Sequence, residues 1–121
     1  MRVLITGSRT WHEPMAIWRV LRDTRIAYGV ECLTVVRGAC PNGADDWADM
    51  WARNVPGFEP ERWPAQWDKF GKRAGFIRNT QMVASGPAIC LAFIRGGSHG
   101  ATHCAGVAEA NGIPTERWEI S

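Results

Sequence analysis

A glycine-rich segment, "RGGSHGATH" at residues 95–103, is the first place in the sequence where chemistry can be expected. It follows the apolar run "PAICLAFI", which is typical of a buried strand, and precedes a segment with a helical pattern. Glycines at such a junction let backbone N–H groups approach an anion, and the helix N-terminus favours negative charge. We therefore predict a phosphate-binding loop, with the Thr102 hydroxyl as a donor, formed by Gly96, Gly97, Ser98, Gly100, Ala101 and Thr102.

A second turn with this potential, "GSRTW" at residues 7–11, follows the apolar run "RVLIT". Gly7 would allow close backbone approach, and the Ser8 hydroxyl could donate to a phosphate or ribose oxygen. Arg9 could bind phosphate through two parallel hydrogen bonds. The alternative is an ordinary turn with a solvated arginine.

Two further segments carry polar candidates. Gly43 and Asp45 open a predicted helix, where Asp45 would either accept from ribose hydroxyls or serve as a helix N-terminal charge. Arg78 and Asn79 lie in another predicted helix, where Arg78 would hold a phosphate or an acidic partner, or form a surface ion pair.

Histidine, cysteine and tryptophan give weaker signals. His99 and His103 are four residues apart, as zinc ligands can be, but the predicted helix starts between them, so we predict no metal site.

The four cysteines form no C-x-x-C pair and are expected to be thiols in a reducing compartment. Near the ligand loops, three tryptophans would either stack on a base or anchor the loops: Trp11, Trp63 and Trp67.

Composition places limits on function. The chain has 121 residues, an apolar fraction of 45%, a charged fraction of 21% and a net charge of +2, which favour one globular domain over residues 1–121. That charge is too small to indicate nucleic-acid binding. No targeting segment or membrane-length apolar run is evident, so we expect a cytoplasmic protein without a membrane partner. No motif calls for a cofactor.

The elements that would position these residues alternate along the chain. We predict strands at 2–6, 32–38, 58–63, 88–94 and 115–120, with the third strand at an edge because it contains Pro60. We predict a first helix that is capped by Thr10 and runs to Tyr28, and a second helix within 41–54 that follows a turn. Two further helices are predicted from Phe76 to Gly86 and from about 100 to 111, with an ordered loop at 64–75. In the first helix, the apolar residues Met15, Trp18, Leu21 and Ile26 are expected to face the sheet.

Five strands alternating with helices predict an α/β fold, a Rossmann-like doubly wound parallel sheet with helices on both faces. Ligands of such sheets bind beyond the carboxyl ends of the strands, where the strand order reverses. The glycine-rich turns after strands one, two and four are therefore expected to meet.

The motifs "ITGSRTW", "GADDWAD", "AGFIRNTQM", "GGSHGAT" and "GIP", in this order, resemble the SLOG superfamily of Rossmann-like nucleotide-associated proteins, and within it the small single-domain branch related to YspA and YpsA. The resemblance implies binding of a nucleotide-like small molecule at the strand ends. It also implies a homo-oligomer, a dimer packed through tryptophan-bearing helices, since phosphoribohydrolases of this superfamily are commonly dimers.

Those phosphoribohydrolases are similar in an R-x-x-x-M element, here Arg78 to Met82, followed by a glycine loop. In this chain Cys104 stands where their catalytic glutamate would be, and a thiol cannot replace that carboxylate in glycosidic cleavage. The leading expectation is therefore a sensor or sequestering module for a nucleotide or nucleotide-derived phosphate. As an alternative, a phosphoribohydrolase-type enzyme would use Asp45 or Asp46 together with Arg78.

DNA-processing DprA proteins are similar in the serine–arginine turn, the glycine–acidic element and the arginine–asparagine pair. They bind single-stranded DNA with basic residues around the pocket. This chain shows no basic stripe interleaved with aromatic residues, so nucleic acid is a less favoured partner.

Overall fold

The strands form one parallel sheet. The structure, a computed structural model, describes residues 1–40 and 42–121. Strands β1 (Arg2–Gly7), β2 (Leu33–Arg37), β3 (Phe58–Arg62), β4 (Ile89–Arg95) and β5 (Thr115–Ile120) pair in the order β3-β2-β1-β4-β5. Every pairing is parallel, with Val3 opposite Val35 on one side and Ile89 on the other. The expected doubly wound parallel sheet is confirmed, and the strand order reverses between β1 and β4.

Helices cover both faces of the sheet. Helices α1 (Pro14–Tyr28) and α2 (Ala44–Asn54) pack on the face that carries Val3, Ile5 and Phe93. Helices α4 (Ala74–Ala84) and α5 (His99–Ala110) pack on the face that carries Leu4 and Cys90. The central strands are apolar on both faces because both are buried, as parallel sheets require.

The first helix begins later than predicted. Its first residue is Pro14, Glu13 occupies the capping position without a side-chain bond, and Thr10 is not the cap. The segment before it instead buries Trp11, whose ring meets Phe93 edge-on at 5.4 Å and whose Nε1 donates to the Glu13 carbonyl. Burial of this large ring outweighs the local capping preference.

The inward face of α1 also differs from the prediction. Ile17 and Leu21 are buried and Trp18 is partly buried, whereas Met15 and Ile26 are exposed. Ile17 and Leu21 are four residues apart, so they define the true inward face.

The segment predicted as a loop at 64–75 contains helical structure. A short helix, α3 (Trp67–Phe70), is followed by a 3-10 turn at Gly71–Arg73 and then by α4, which begins at Ala74 rather than Phe76. Gly71 has a φ of 59°, so this glycine ends a helical turn instead of preventing one.

The remaining element predictions hold to within a few residues. Gly29 and Gly86 follow their helices in left-handed conformation, and β3 with Pro60 is an edge strand. On α2, Trp47 and Trp51 pack against Trp18, which stacks on Trp51 at 5.5 Å. The predicted turn before α2 starts at Pro41, which lies outside the described residues. Among the described helices, none has the length and apolar character needed to span a membrane.

Candidate functional site

A cavity of about 520 Å³ opens at the carboxyl ends of β1, β2 and β4. The turns after these strands, together with the start of α4, form its walls, so the predicted meeting of the three turns is confirmed. Its volume lies in the range of small-molecule sites, roughly 300–1,000 Å³. The residues that line it are Ile5, Thr6, Gly7, Ser8, Arg9, Thr10, Gly38, Cys40, Asp45, Trp67, Lys72, Gly75, Phe76, Arg78, Asn79, Met82, Arg95, Ser98, Gly100 and Ala101.

Ser8 joins the ends of β1 and β4. Its buried hydroxyl accepts from the Arg95 N–H at 2.7 Å and donates to the Arg95 carbonyl at 3.3 Å. The single hydroxyl proton is thus already engaged within the protein. Ser8 holds two cavity walls in register, which is a different role from the expected donation to a ligand.

Gly7 and Gly43 allow α2 to approach β1 closely. A Cβ on Gly7 would stand less than 3 Å from the Ala44 Cβ and 2.9 Å from the Phe93 carbonyl oxygen. A Cβ on Gly43, whose φ is 98°, would meet the Ser8 carbonyl oxygen at less than 3 Å. These glycines are needed for backbone packing; Gly7 lines the cavity and Gly43 does not.

The glycine loop after β4 turns the chain into α5. Gly96 and Gly97 adopt φ values of 61° and 67°, which favour glycine, and they lie outside the cavity, as does the exposed Thr102. Ser98, Gly100 and Ala101 line the cavity, and open space surrounds the point where a Gly100 Cβ would be. The first N–H groups of α5 have no preceding helical carbonyl to bind, so they are available to a ligand.

Four cationic side chains line the same cavity: Arg9, Lys72, Arg78 and Arg95. Among the described residues, no aspartate or glutamate carboxylate lies within 4.0 Å of any of them. The cavity therefore has positive charge that no aspartate or glutamate of the described residues pairs with. Arg95 donates instead to the Thr10 carbonyl at 3.3 Å and to a main-chain oxygen of Ser121 at 3.2 Å. Sequence reasoning named only Arg9 and Arg78 as ligand-binding residues.

Arg78 is fixed by backbone carbonyls rather than by a surface ion pair. Its Nη1 donates to the carbonyls of Gly38 and Trp63, the latter at 3.2 Å, and its Nε donates to Asn79 Oδ1 at 3.0 Å. The buried Asn79 side chain in turn reaches the Gly100 carbonyl at 3.4 Å. Arg78 and Asn79 thus connect the turn after β2 with the start of α5.

Beside the cavity lies a buried ionic network that sequence reasoning missed. Arg37 Nε donates to Asp45 at 3.2 Å and Arg37 Nη1 donates to Asp49 at 3.1 Å, while Arg53 and Arg62 also bind Asp49. The signal in the sequence was Arg37 at the end of an apolar strand, followed by aspartates four residues apart in "ADDWAD".

The pKa values of the two buried aspartates, Asp45 and Asp49, shift in opposite directions. Burial raises the pKa of Asp45, and the adjacent Arg37 guanidinium offsets only part of that effect. Burial also acts on Asp49, but hydrogen bonds from Arg62 and Arg37 hold the pKa of Asp49 below its ordinary value. Among the described residues lining the cavity, Asp45 is the only carboxylate; Asp46 does not line it and lies 3.8 Å from Arg37.

The three tryptophans near the ligand loops occupy different surroundings. Trp11 is buried in the core, and Trp63 donates through Nε1 to Glu61 at 2.8 Å, so both anchor loops. Trp67 lines the cavity and is 52% exposed. Phe76, which sequence reasoning did not single out, also lines the cavity and packs on His103, with ring centroids 4.4 Å apart.

Cys104 lies in the core and not at the cavity. It is fully buried against the sheet near Cys90, and burial raises the pKa of the Cys104 thiol to about 11. The thiol is therefore protonated at neutral pH, and Cys104 does not line the cavity. Among the described residues, no cluster of histidine, cysteine and carboxylate side chains could hold a metal ion.

The fold and the cavity together define a Rossmann-like protein with an open, positively charged site at the strand carboxyl ends. The family described as YspA, cpYpsA-related SLOG matches residues 1–70. The chain is also 46% identical over 119 residues to the Gene 61 protein of Mycobacterium phage D29, across 93% of this chain and 92% of that protein. No solved structure matches the chain.

The chain belongs to the YspA, cpYpsA-related SLOG family. This membership confirms the resemblance inferred from the motifs and fits, at a general level, a role in binding nucleotide-related ligands.

Proposed function

We propose that this protein binds a nucleotide or a nucleotide-derived phosphate in the cavity and acts as a sensor or a sequestering module. The observation that carries the proposal is the convergence of Arg9, Lys72, Arg78 and Arg95 on one cavity, with no aspartate or glutamate carboxylate within 4.0 Å of them among the described residues. Cationic groups and free N–H groups at one site favour a phosphate, because charge-assisted hydrogen bonds are stronger than neutral ones.

The position of the α5 N-terminus supports the same ligand class. Ser98, Gly100 and Ala101 line the cavity at the point where the positive end of the helix dipole meets it. Since Gly100 leaves open space in front of the backbone, a phosphate oxygen could approach the first N–H groups of α5.

Isothermal titration calorimetry with AMP, GMP, CMP and UMP tests the proposal. The variant Arg9→Ala should weaken binding about tenfold, the low end for a hydrogen bond to a charged group, because Arg9 is exposed. Arg19→Ala is the matched control, since Arg19 is an exposed arginine on α1 away from the cavity. Equal affinities for both variants would contradict the proposal, as would no binding by the unaltered protein.

A second candidate is a phosphoribohydrolase-type enzyme in which Asp45 moves the proton. The observation in its favour is the buried Asp45 carboxyl at the cavity, with a pKa raised by burial, as a general acid or base requires. Release of free base from a nucleotide, abolished in Asp45→Asn, would support it. The binding proposal expects no base release by the unaltered protein.

The protein is further proposed to act as a homodimer, on the strength of the resemblance to dimeric relatives. A cytoplasmic compartment is proposed because the four cysteines are free thiols, which a reducing compartment favours. No nucleic acid, membrane, metal or cofactor enters the proposal.

A further inference from the structure

Two large aromatic side chains that line the cavity, Trp67 and Phe76, are exposed instead of being buried in the core. Trp67 is 52% exposed and Phe76 is 45% exposed, whereas the six other tryptophans are buried or half-buried. Exposure of large rings at a concave site is typical of ligand recognition, because such rings offer wide contact area and few conformations.

The geometry around Gly75 places one of these rings beside a cation. The indole Cη2 of Trp67 lies 3.5 Å, and Nη2 of Arg78 lies 3.8 Å, from the point where a Cβ on Gly75 would stand. The ring edge and the guanidinium therefore border the cavity beside the bare backbone of Gly75, and we call this part of the cavity the slot. Phe76, the next residue, also lines the cavity and packs on the His103 ring.

A second cavity of about 220 Å³ adjoins the main one. This second cavity shares Arg9, Gly38, Cys40, Trp67 and Arg78 with the main one, and Ala39, Pro64 and Ala65 complete its walls. Trp67 thus lines both cavities, next to the cations expected to bind phosphate.

We infer that the slot formed by Trp67, Gly75, Phe76 and Arg78 is a subsite for a planar nitrogenous ring, the nucleobase of the ligand. The inference rests on the proposed function and places the base against the Trp67 indole while the phosphate lies toward the first turn of α5. Stacking on an aromatic ring tolerates any base, since every base has a π face, and an arginine guanidinium also stacks on such rings.

The test compares a nucleotide with ribose 5-phosphate, which carries the same phosphate and sugar but no base. Calorimetry uses whichever of AMP, GMP, CMP and UMP binds most tightly to the unaltered protein. Trp67→Ala should weaken nucleotide binding by about 5- to 150-fold, the range for losing a base–aromatic stack, and leave the affinity for ribose 5-phosphate unchanged. Tyr28→Ala, which removes an exposed aromatic ring far along α1, should change neither affinity.

A second variant fills the slot without removing a ring. In Gly75→Ala the new Cβ would lie at ordinary contact distances from Trp67 and Arg78, and the φ of Gly75 is not positive, so the fold is kept. We expect weaker nucleotide binding with an unchanged affinity for ribose 5-phosphate.

The outcomes separate this inference from the proposed function. Nucleotide affinities unaltered in both Trp67→Ala and Gly75→Ala would overturn the base subsite while leaving phosphate binding in place. Loss of ribose 5-phosphate binding in these variants would also overturn it, because the slot would then serve the phosphate end. Absence of binding of every probe to the unaltered protein would overturn the subsite and the proposed function together.

Discussion

Replacing Arg37 by methionine should destabilise the protein severely, although the two side chains have similar length. Arg37 is 4% exposed and is the cation that binds the buried carboxylate of Asp45. The substitution leaves Asp45 in a poorly solvated position without an opposite charge. Asp49, in contrast, keeps its hydrogen bonds to Arg53 and Arg62.

The magnitude follows from burial. Removing one partner of a buried ion pair costs about 3–5 kcal/mol, because an uncompensated charge stays in the interior. Since a domain is stabilised by about 5–15 kcal/mol in total, Arg37→Met should lose a large share of its free energy of unfolding. Arg53→Met is the matched control: Arg53 is 47% exposed and binds the same network, so its loss should cost below about 1 kcal/mol.

The effect should depend on pH with a defined sign. Burial raises the pKa of Asp45 in the folded protein, and loss of Arg37 raises it further. At pH values between the pKa of Asp45 in the unfolded chain and its higher pKa in the folded protein, the folded state keeps the Asp45 proton that the unfolded chain has released. The free energy of unfolding therefore falls as the pH rises through the folded pKa. The difference between Arg37→Met and the unaltered protein should therefore be larger at about pH 7 than at about pH 5.

Urea unfolding followed by circular dichroism at both pH values measures these quantities. A loss below about 1 kcal/mol for Arg37→Met at about pH 7, no larger than that for Arg53→Met, would refute the reasoning. So would a loss that does not change with pH, because the buried Asp45 charge would then not be its cause.

Three further predictions concern packing, thiols and assembly. Gly43→Ala should cost at least about 1–3 kcal/mol in urea unfolding, since its Cβ would overlap a backbone carbonyl at a φ of 98°; an unchanged midpoint would contradict the close approach of α2. In the folded protein at neutral pH, Cys90 and Cys104 should resist a thiol reagent, because burial raises their pKa values to about 12 and about 11, while Cys32 and Cys40 react; four equally reactive thiols would contradict their burial. Light scattering should give the mass of a dimer, and a monomer mass at all concentrations would remove the dimer proposal.

The regular elements could be predicted because local pattern and tertiary packing agree there. Apolar runs such as 88–94 need burial on both faces, and only a parallel sheet with helices on both sides provides it. The turn before α1 could not be predicted, since Thr10 offers a capping pattern that is overridden by the burial of Trp11 against Phe93. That contact joins residues far apart in the sequence.

The location of the site could be predicted from the sequence, but the roles of several of its residues could not. Glycine-rich turns after strands one, two and four indicated the strand carboxyl ends, where the cavity lies. The pairing of Ser8 with the Arg95 backbone, and that of Arg37 with Asp45, depend on which strands are neighbours, so no local pattern reveals them. Trp67 and Phe76 reach the cavity only because 64–75 folds into helical turns.

The central claim is that a phosphate-bearing nucleotide binds at the carboxyl ends of β1 and β4. Two-dimensional amide NMR of the labelled protein, with and without the tightest-binding nucleoside monophosphate, tests it most directly. We predict that the amide signals of residues 7–10 and 98–101 shift strongly, while those at the opposite ends of the strands stay in place. Shifts confined to residues outside the cavity, or no shifts at saturating nucleotide, would contradict the account.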